Sequence, residues 1–423
     1  MTTVGTSWPR RLTGQRDVVG HAAHEGEHGR LRLPHGARER SLLLDEIERS
    51  GLRGRGGAGF PVARKMRAVA AGRTAVVVAN GCEGEPGSGK DAHLLSTQPH
   101  LVLDGIALAA AAVGADEAHL AIHRGSLVLP VLRRALAERP GDRPKVQLHT
   151  VPARYVASEE SALVSFLNGG DAKPTFTPPR PFERGVGRRP TLINNVETLA
   201  HLALIGRRGA HWFRGTGDSD EPGTLLMTVT TPDGARTVVE VPTGTTIGDV
   251  LVAAGSDARD CGAMLVGGYF GTWMTAEEAS RTPLTHRDLA AAGGALGAGI
   301  LLALPQGACG LAETSHVLDY LAGQSAGQCG PCLNGLPSVA QAYGRLARGG
   351  WEERLGAALD RWLNVVPGRG ACRHPDGALR LMASSLPVFG DDLAAHRAGR
   401  PCAAAHRPPR LPIPKVSQTD GWR

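Results

Sequence analysis

Residues 75–87 read Ala75-Val76-Val77-Val78-Ala79-Asn80-Gly81-Cys82-Glu83-Gly84-Glu85-Pro86-Gly87. Five small or β-branched apolar residues stopped by Asn-Gly read as a short buried strand. The polar, glycine-rich continuation is a loop at the strand's carboxyl end, where open α/β sheets bind ligands. Downstream, residues 101–113 and 127–138 carry helical patterns and residues 118–123 and 146–151 read as strands. Ser158-Glu159-Glu160-Ser161 then opens a helix that runs through 167, with Ser158 at its N-cap and acids in its first turn. Strand–helix alternation of this kind predicts an α/β fold on a largely parallel sheet.

Upstream, residues 41–49 form a short helical pattern with Ser41 as its N-cap. Gly51-Leu52-Arg53-Gly54-Arg55-Gly56-Gly57-Ala58-Gly59-Phe60-Pro61 follows. Gly54, Gly56 and Gly59 satisfy G-x-G-x-x-G, but a dinucleotide fingerprint follows a strand and this stretch follows a helix. The loop's physics survives without that label. Glycines let backbone N–H groups approach an anion, and the helix from about residue 62 presents its positive end. Arg53, Arg55 and Lys65 add charge, so a phosphate-bearing cofactor competes here with a plain flexible turn.

The acid pairs Glu83/Glu85 and Glu159/Glu160 have ordinary explanations singly, as dipole complements or solvated loop acids. Two pairs at two strand ends of one sheet point to a shared site. Asn194-Asn195-Val196-Glu197-Thr198 follows the proline-rich linker 174–190. Its amides suit a polar ring edge, and Asn195 equally suits the N-cap of a helix over 196–205.

In the middle region, residues 223–231 and 236–241 flank Pro232-Asp233-Gly234-Ala235 and read as a hairpin. An amphipathic helix over 245–254 has Thr246 near its cap, and 266–271 and 299–303 supply further strands. From His316 onward helical patterns dominate, over 317–322, 337–347, 351–363 and 377–385. They enclose Gln324-Ser325-Ala326-Gly327-Gln328-Cys329-Gly330-Pro331-Cys332 and, further on, Cys372. Cys329-x-x-Cys332 alone is shared by zinc knuckles, redox dithiols and cluster loops. A thioredoxin-like dithiol belongs after a strand, and helices surround this one. A bundle with buried thiols and no cluster is the bland alternative. Cys261, Cys309 and Cys402 have no paired spacing and read as structural or bystander residues.

Composition bounds the rest. With 423 residues, 42% hydrophobic and 21% charged, the chain is long enough for two or three globular domains. The formal charge is +7, but the arginines are scattered without aromatic interleaving, which argues against nucleic-acid binding. No apolar run reaches the about 18 residues of a membrane span, and no signal-peptide core follows the N-terminus. Seven cysteines, an odd number, do not suggest a secreted disulfide framework, so the reducing cytoplasm is expected. Residues 1–40 read as an irregular arm in which His21, His24, His28 and His35 are solvated.

Taken in order, 54–61, 80–87, 158–163, 194–198, Cys329-x-x-Cys332 and Cys372 resemble the flavin-binding subunit of NADH:quinone oxidoreductase and the related subunits of NAD-linked hydrogenases and formate dehydrogenases. The likeness spans roughly residues 45–395. It implies a Rossmann-like FMN domain (41–220), a β-grasp (SLBB, ubiquitin-like) domain (221–305) and a helical iron–sulfur bundle (306–400), flanked by the arm 1–40 and a tail 401–423. The resemblance assigns Gly54, Arg55, Gly56 and Lys65 to the FMN phosphate and ring edge. It assigns Asn80, Glu83, Tyr155, Glu159, Asn194, Asn195 and Thr198 to the flavin lining. Glu85 and Glu160 lie near the nicotinamide as catalytic-site acids, and Phe60 stacks on the adenine. Cys329, Cys332 and Cys372 are the cluster ligands. The implied chemistry is electron passage from NADH through FMN to a cluster and then to a partner redox protein, either a ferredoxin or a [2Fe–2S] thioredoxin-like subunit. Membrane association, if any, is through partner subunits.

The sequence departs from that family at defined places. The Asp of its Asn-x-Asp-Glu is Cys82. A Gly beside its Glu pair is Ser158. Aromatics just after its Lys are Met66 and Ala68, and its Lys-Pro-Pro-Phe-Pro segment is Thr177-Pro178-Pro179-Arg180-Pro181. These changes predict a kept flavin fold with a weaker dinucleotide grip, unless Phe182 swings in, and leave a non-NADH donor or a non-catalytic scaffold as alternatives. Ala326 replaces the first cysteine of the cluster motif. Three thiolates imply a [3Fe–4S] cluster, or a [4Fe–4S] cluster whose fourth ligand is Ser325, His374 or hydroxide.

Overall fold

The computed structural model describes residues 8–14, 17–414 and 421–423. Strand β1 (Val76–Asn80) lies at the centre of a four-stranded parallel sheet with β2 (Glu117–His123), β3 (Val146–Val151) and β4 (Thr191–Asn195), in the order β3-β2-β1-β4. Val76 to Ala79 are all fully buried because both faces are covered. Val77 and Ala79 pack with the helices Pro99–Val113 and Val196–Arg214. Val76 and Val78 face the helix Glu160–Leu167. A continuous apolar run, rather than an alternating one, is what two covered faces require. All four strands point the same way, so the loops after β1 and β3 meet Asn194 and Asn195 at one edge.

The second sheet is mixed. Strands β5 (Thr224–Thr230), β6 (Arg236–Pro242), β7 (Cys261–Val266), β8 (Thr272–Thr275) and β9 (Ile300–Pro305) run in the order β6-β5-β9-β7-β8. Only β5 and β9 pair in parallel. Period-two alternation divides its residues between two cores. Met264, Val266 and Leu301 join Ile247, Val250 and Leu251 of the helix Ile247–Ala253. Ala263, Leu265 and Leu302 face the C-terminal helices Gly310–Gly323, Leu336–Ala347 and His374–Val388. Among the described residues no helix is long and apolar enough to cross a membrane.

Several expectations are corrected. Of residues 266–271 only Val266 is strand, the last residue of β7; 267–271 form the turn between β7 and β8, with Gly267 and Gly268 at positive φ. The arm is not irregular throughout: it holds the helix His21–His28, and the next helix, Gly36–Ser50, begins five residues before Ser41. His24 is not solvated. It is buried with Nε2 2.6 Å from Asp104, which Arg139 and Arg207 also hold. Glu159, not Ser158, caps the helix after β3. The helix from Val196 continues to Arg214 across a break at Gly209, and the helices Lys90–Thr97 and Gly390–Arg397 had no predicted counterpart.

Candidate functional site

The glycine loop, the helix Val62–Ala70, the start of the helix Glu160–Leu167 and the end of β4 enclose a groove. Its floor, about 80 Å³, is lined by Gly54, Gly56, Phe60, Lys65, Glu160, Asn194, Asn195 and Thr198 among others. Eight of the sequence-predicted residues therefore come together, from three separate stretches of chain. Phe60 is 40% exposed at the rim, where Arg64 lies 5.7 Å from its ring. Lys65 Nζ sits 2.6 Å from Glu160 Oε1 and donates to the Ile193 carbonyl at 3.0 Å. The helix after the loop has no side-chain cap, and of its first N–H groups Val62 donates to the Leu52 carbonyl at 3.1 Å.

The groove suits a phosphate-bearing flavin on this chain's own features. Asn194 Nδ2 is buried without a partner, and so is Nε of the buried Arg55. Buried donors left unmade are costly and mark places where a ligand acceptor belongs. A Cβ on Gly56 would lie a tight 3.2 Å from Asn195 Cβ, so glycine suits the loop where it passes the end of β4. Arg55 donates its backbone N–H to Thr198 Oγ1 at 2.8 Å, which locks the loop to the following helix. Burial lowers the Arg55 guanidinium from the usual arginine range, opposed by Glu197 and Glu221.

Other predicted residues support the groove rather than line it. Glu83 accepts from Ser88 Oγ and from the N–H groups of Asp91 and Ala92, tying down the start of the helix Lys90–Thr97. Glu159 accepts from the N–H groups of Ser161 and Ala162. Asn80 donates to the Ser158 carbonyl and accepts from Cys82 N–H, joining the loops after β1 and β3. The Asn195 amide is engaged with Glu197 N–H, Lys90 and Asp91, so the capping reading holds for it, while Asn194 is the open amide. Met66 is fully buried in the sheet core and Phe182 packs partly against the same core. Neither offers a ring or stem to the groove.

Sequence reasoning missed the layer beneath. Lys90 is 1% exposed and its Nζ lies 2.7 Å from Asp91, 2.8 Å from Glu197 and 3.2 Å from Asn195 Oδ1. Glu197 also accepts from Leu226 N–H on β5, which ties this network to the second sheet. Burial works against the Lys90 charge, but Asp91 and Glu197 outweigh it and hold the ammonium above the usual lysine range. The available signal was Lys90-Asp91 directly after the glycine-rich loop 84–89.

Glu85 and Tyr155 lie at the junction with the second sheet and the helical region. The Tyr155 hydroxyl donates to Glu85, and both Glu85 oxygens accept from Tyr269 N–H at 3.1 Å. A Cβ on Gly268 would lie 2.8 Å from the Glu85 carboxyl carbon, so that turn needs glycine. Burial raises the Glu85 carboxyl to about 7, opposed by these hydrogen bonds. The folded state therefore binds a proton that the unfolded chain has released. Stability from this group is present at low pH and falls as pH rises from the ordinary carboxyl range to about 7. Thermal melts at pH 5 and pH 7.5 are expected to show a smaller pH-dependent drop in Glu85→Gln than in the native chain, and equal drops would contradict this.

The cysteine triad sits nearby. Cys332 is buried and its N–H donates to the Cys329 carbonyl at 3.0 Å, in the turn Pro331–Gly335 that leads into Leu336–Ala347. Burial pushes the Cys332 thiol up to about 12, reinforced by Cys329 and Cys372. Burial likewise raises Cys372 to about 11, with Glu159 and Cys329 among the causes. The three cysteines are near enough to bear on one another electrostatically, although their sulfurs do not all lie within 4.8 Å of one another; a cationic iron site would take up their negative charge. Gln324 Oε1 accepts from Tyr155 N–H at 3.1 Å, and the His374 ring lies 5.5 Å from the Tyr155 ring. His374 Nε2 donates to the Leu321 carbonyl.

A glycine-loop groove with a buried, unpartnered Asn194 amide, on one chain with three neighbouring cysteines, points to the class of electron-transfer flavoproteins. Residues 47–204 match the family model described as the Nuo51 FMN-binding domain, and residues 312–396 match the NADH-ubiquinone oxidoreductase-F iron-sulfur binding region. The chain is 31% identical over 379 residues to an F-type NADH-quinone oxidoreductase subunit of Rhizobium meliloti (strain 1021), covering 85% of this chain and 90% of that one. It is 32% identical over 383 residues to the F-type NADH-quinone oxidoreductase subunit of Mycobacterium tuberculosis (strain ATCC 25618 / H37Rv), covering 85% of each. A solved NAD+-reducing [NiFe]-hydrogenase in the H2-reduced state superposes with a TM-score of 0.76 at 30% identity, over 84% of this chain and 63% of the hydrogenase chain. The chain belongs to the family of F-type NADH-quinone oxidoreductase subunits, and is an oxidoreductase component with an FMN-binding domain and an iron–sulfur region.

Proposed function

We propose that this chain takes electrons from NADH at the groove and passes them to an iron–sulfur cluster held by Cys329, Cys332 and Cys372. The observation that carries this reading is the shared segment 155–160. Glu160 lines the groove, Glu159 bears electrostatically on Cys372, and Tyr155 contacts both Gln324 and His374. One short piece of backbone separates the two redox sites. FMN bound in the groove would accept two electrons together and release them singly. Gly54, Gly56 and the first turn of Val62–Ala70 would hold its phosphate, Asn194 and Thr198 its polar edge, and Lys65 would complement charge there. Glu160, paired with Lys65, would orient the nicotinamide, and Glu85 would fix the loop above β1 through Tyr155 and Tyr269.

The sheet order β6-β5-β9-β7-β8 with the helix Ile247–Ala253 on one face supports reading 221–305 as a β-grasp domain between the flavin domain 41–220 and the helical region 306–400. Ser325 is the favoured fourth-corner candidate, since its hydroxyl bears on Cys332. Gly327, Gln328 and Leu333 are exposed around the triad, which gives a partner redox protein, a ferredoxin or a [2Fe–2S] thioredoxin-like subunit, access to the cluster.

Two rings stand free for a nucleotide base: Phe60, and Phe176 at 71% exposure in the loop that Ser161 ties down through Thr175. Phe60→Ala is expected to raise KM for NADH about five- to tenfold, the worth of ~1 kcal/mol of stacking, with kcat little changed. Steady-state NADH:ferricyanide kinetics would read this. An unchanged KM would mean that Phe60 does not stack on the dinucleotide, and a native chain that NADH does not reduce would favour another donor.

A further inference from the structure

Away from the groove and the triad, three donors meet at the start of the helix Gly310–Gly323. Cys309 caps that helix, His396 lies on the helix Gly390–Arg397, and Cys402 follows it in the tail. One ligand atom from each lies within 4.8 Å of the others. Cys309 is 2% exposed and His396 is fully buried. Cys309 Sγ is 3.8 Å from His396 Nε2, and Cys402 N–H donates to the same Nε2 at 3.2 Å. That nitrogen therefore accepts the Cys402 N–H, with the ring proton on Nδ1, which has no partner, and a cation at Nε2 would take over the lone pair that the Cys402 N–H now uses. Asp392 lies one turn before His396 on the same helix and bears electrostatically on Cys309. A cavity of about 100 Å³ opens beside Cys309, room for water at a further position.

We propose that Cys309, His396 and Cys402 bind a thiophilic divalent cation, zinc by donor type, with water completing four-coordination. Two thiolates and an imidazole are the donors zinc selects. Binding converts two thiols to thiolates and releases two protons to solvent. The site is separate from the cluster triad, because the 14-residue helix Gly310–Gly323, about 21 Å long, lies between Cys309 and the cluster loop. Its consequence is mechanical. Arg410 and Leu411 N–H groups bind Glu313, one turn beyond Cys309, and Tyr269 donates to the Pro412 carbonyl. A cation at Cys402 would fasten the near end of the strap whose far end reaches the Glu85 junction.

The test is metal analysis of full-length, cluster-loaded protein in reductant, followed by chelation and titration with Zn2+ and with Co2+. The expected result is about one zinc per chain, lost in Cys402→Ser and His396→Ala with iron content unchanged. Co2+ should give thiolate charge-transfer and tetrahedral d–d bands, and trypsin should cut after Arg410 faster once the metal is chelated. Zinc uptake equal in the native chain and both variants would overturn the proposal, as would no uptake with both thiols titratable. A Cys309–Cys402 disulfide that persists in reductant would also overturn it. Circular dichroism of the tail variant Cys402→Ser separates metal loss from misfolding.

Discussion

Replacing Lys90 with alanine is expected to destabilise the protein by about 3–5 kcal/mol, measured by urea unfolding at neutral pH. The ammonium is buried between Asp91 and Glu197, themselves almost wholly buried. Removing it leaves two carboxylates without their counter-charge in a place water does not reach, and that penalty exceeds the worth of the pair itself. Lys90→Ala combined with Glu197→Gln should recover part of the loss, because one stranded charge is then gone. The network also holds Asn195, which the groove borders, so flavin retention should fall with stability. A loss below about 1 kcal/mol would mean that the pair is not a structural anchor.

Cys332→Ser is expected to abolish the cluster while leaving the flavin. The side chain is 4% exposed, similar in size to serine and not part of the groove floor, so the fold should survive. A hydroxyl is a poor ligand for iron where a thiolate stood, and with Ala326 already at one corner only two thiolates remain. Iron should fall to background, the broad visible shoulder should vanish, and flavin absorbance should persist. Transfer to a protein acceptor should be lost, whereas ferricyanide reduction should continue. Retention of stoichiometric iron would exclude Cys332 as a ligand.

The parts of the fold with strong periodicity were legible. The run from Val76 to Ala79, the hairpin around Asp233-Gly234 and the helix capped by Thr246 all stand where their patterns put them. Boundaries set by tertiary contacts were not. The apolar run at Val266 continues into Gly267-Gly268, which looks like strand until Glu85 is seen to occupy the space over Gly268. The arm seemed too polar to fold, yet His24 is drawn in by Asp104 from a distant helix. At the site, the groups that meet the groove were found from their motifs, and the shared flavin and iron–sulfur regions agree with the family. The residues beneath it were not found, because a buried lysine pair has no periodic signature and depends on a carboxylate 107 positions away. Cys309 and Cys402 looked unrelated for the same reason: their partner, His396, stands on a helix that the pattern did not announce.

The most direct measurement is an anaerobic titration of the purified, reconstituted chain with NADH, followed by absorbance and electron paramagnetic resonance. The expected result is bleaching of the flavin bands at near-stoichiometric NADH, followed by a change in the cluster signal that Cys332→Ser lacks. Flavin bands that stay oxidised under excess NADH but bleach with dithionite would contradict the account.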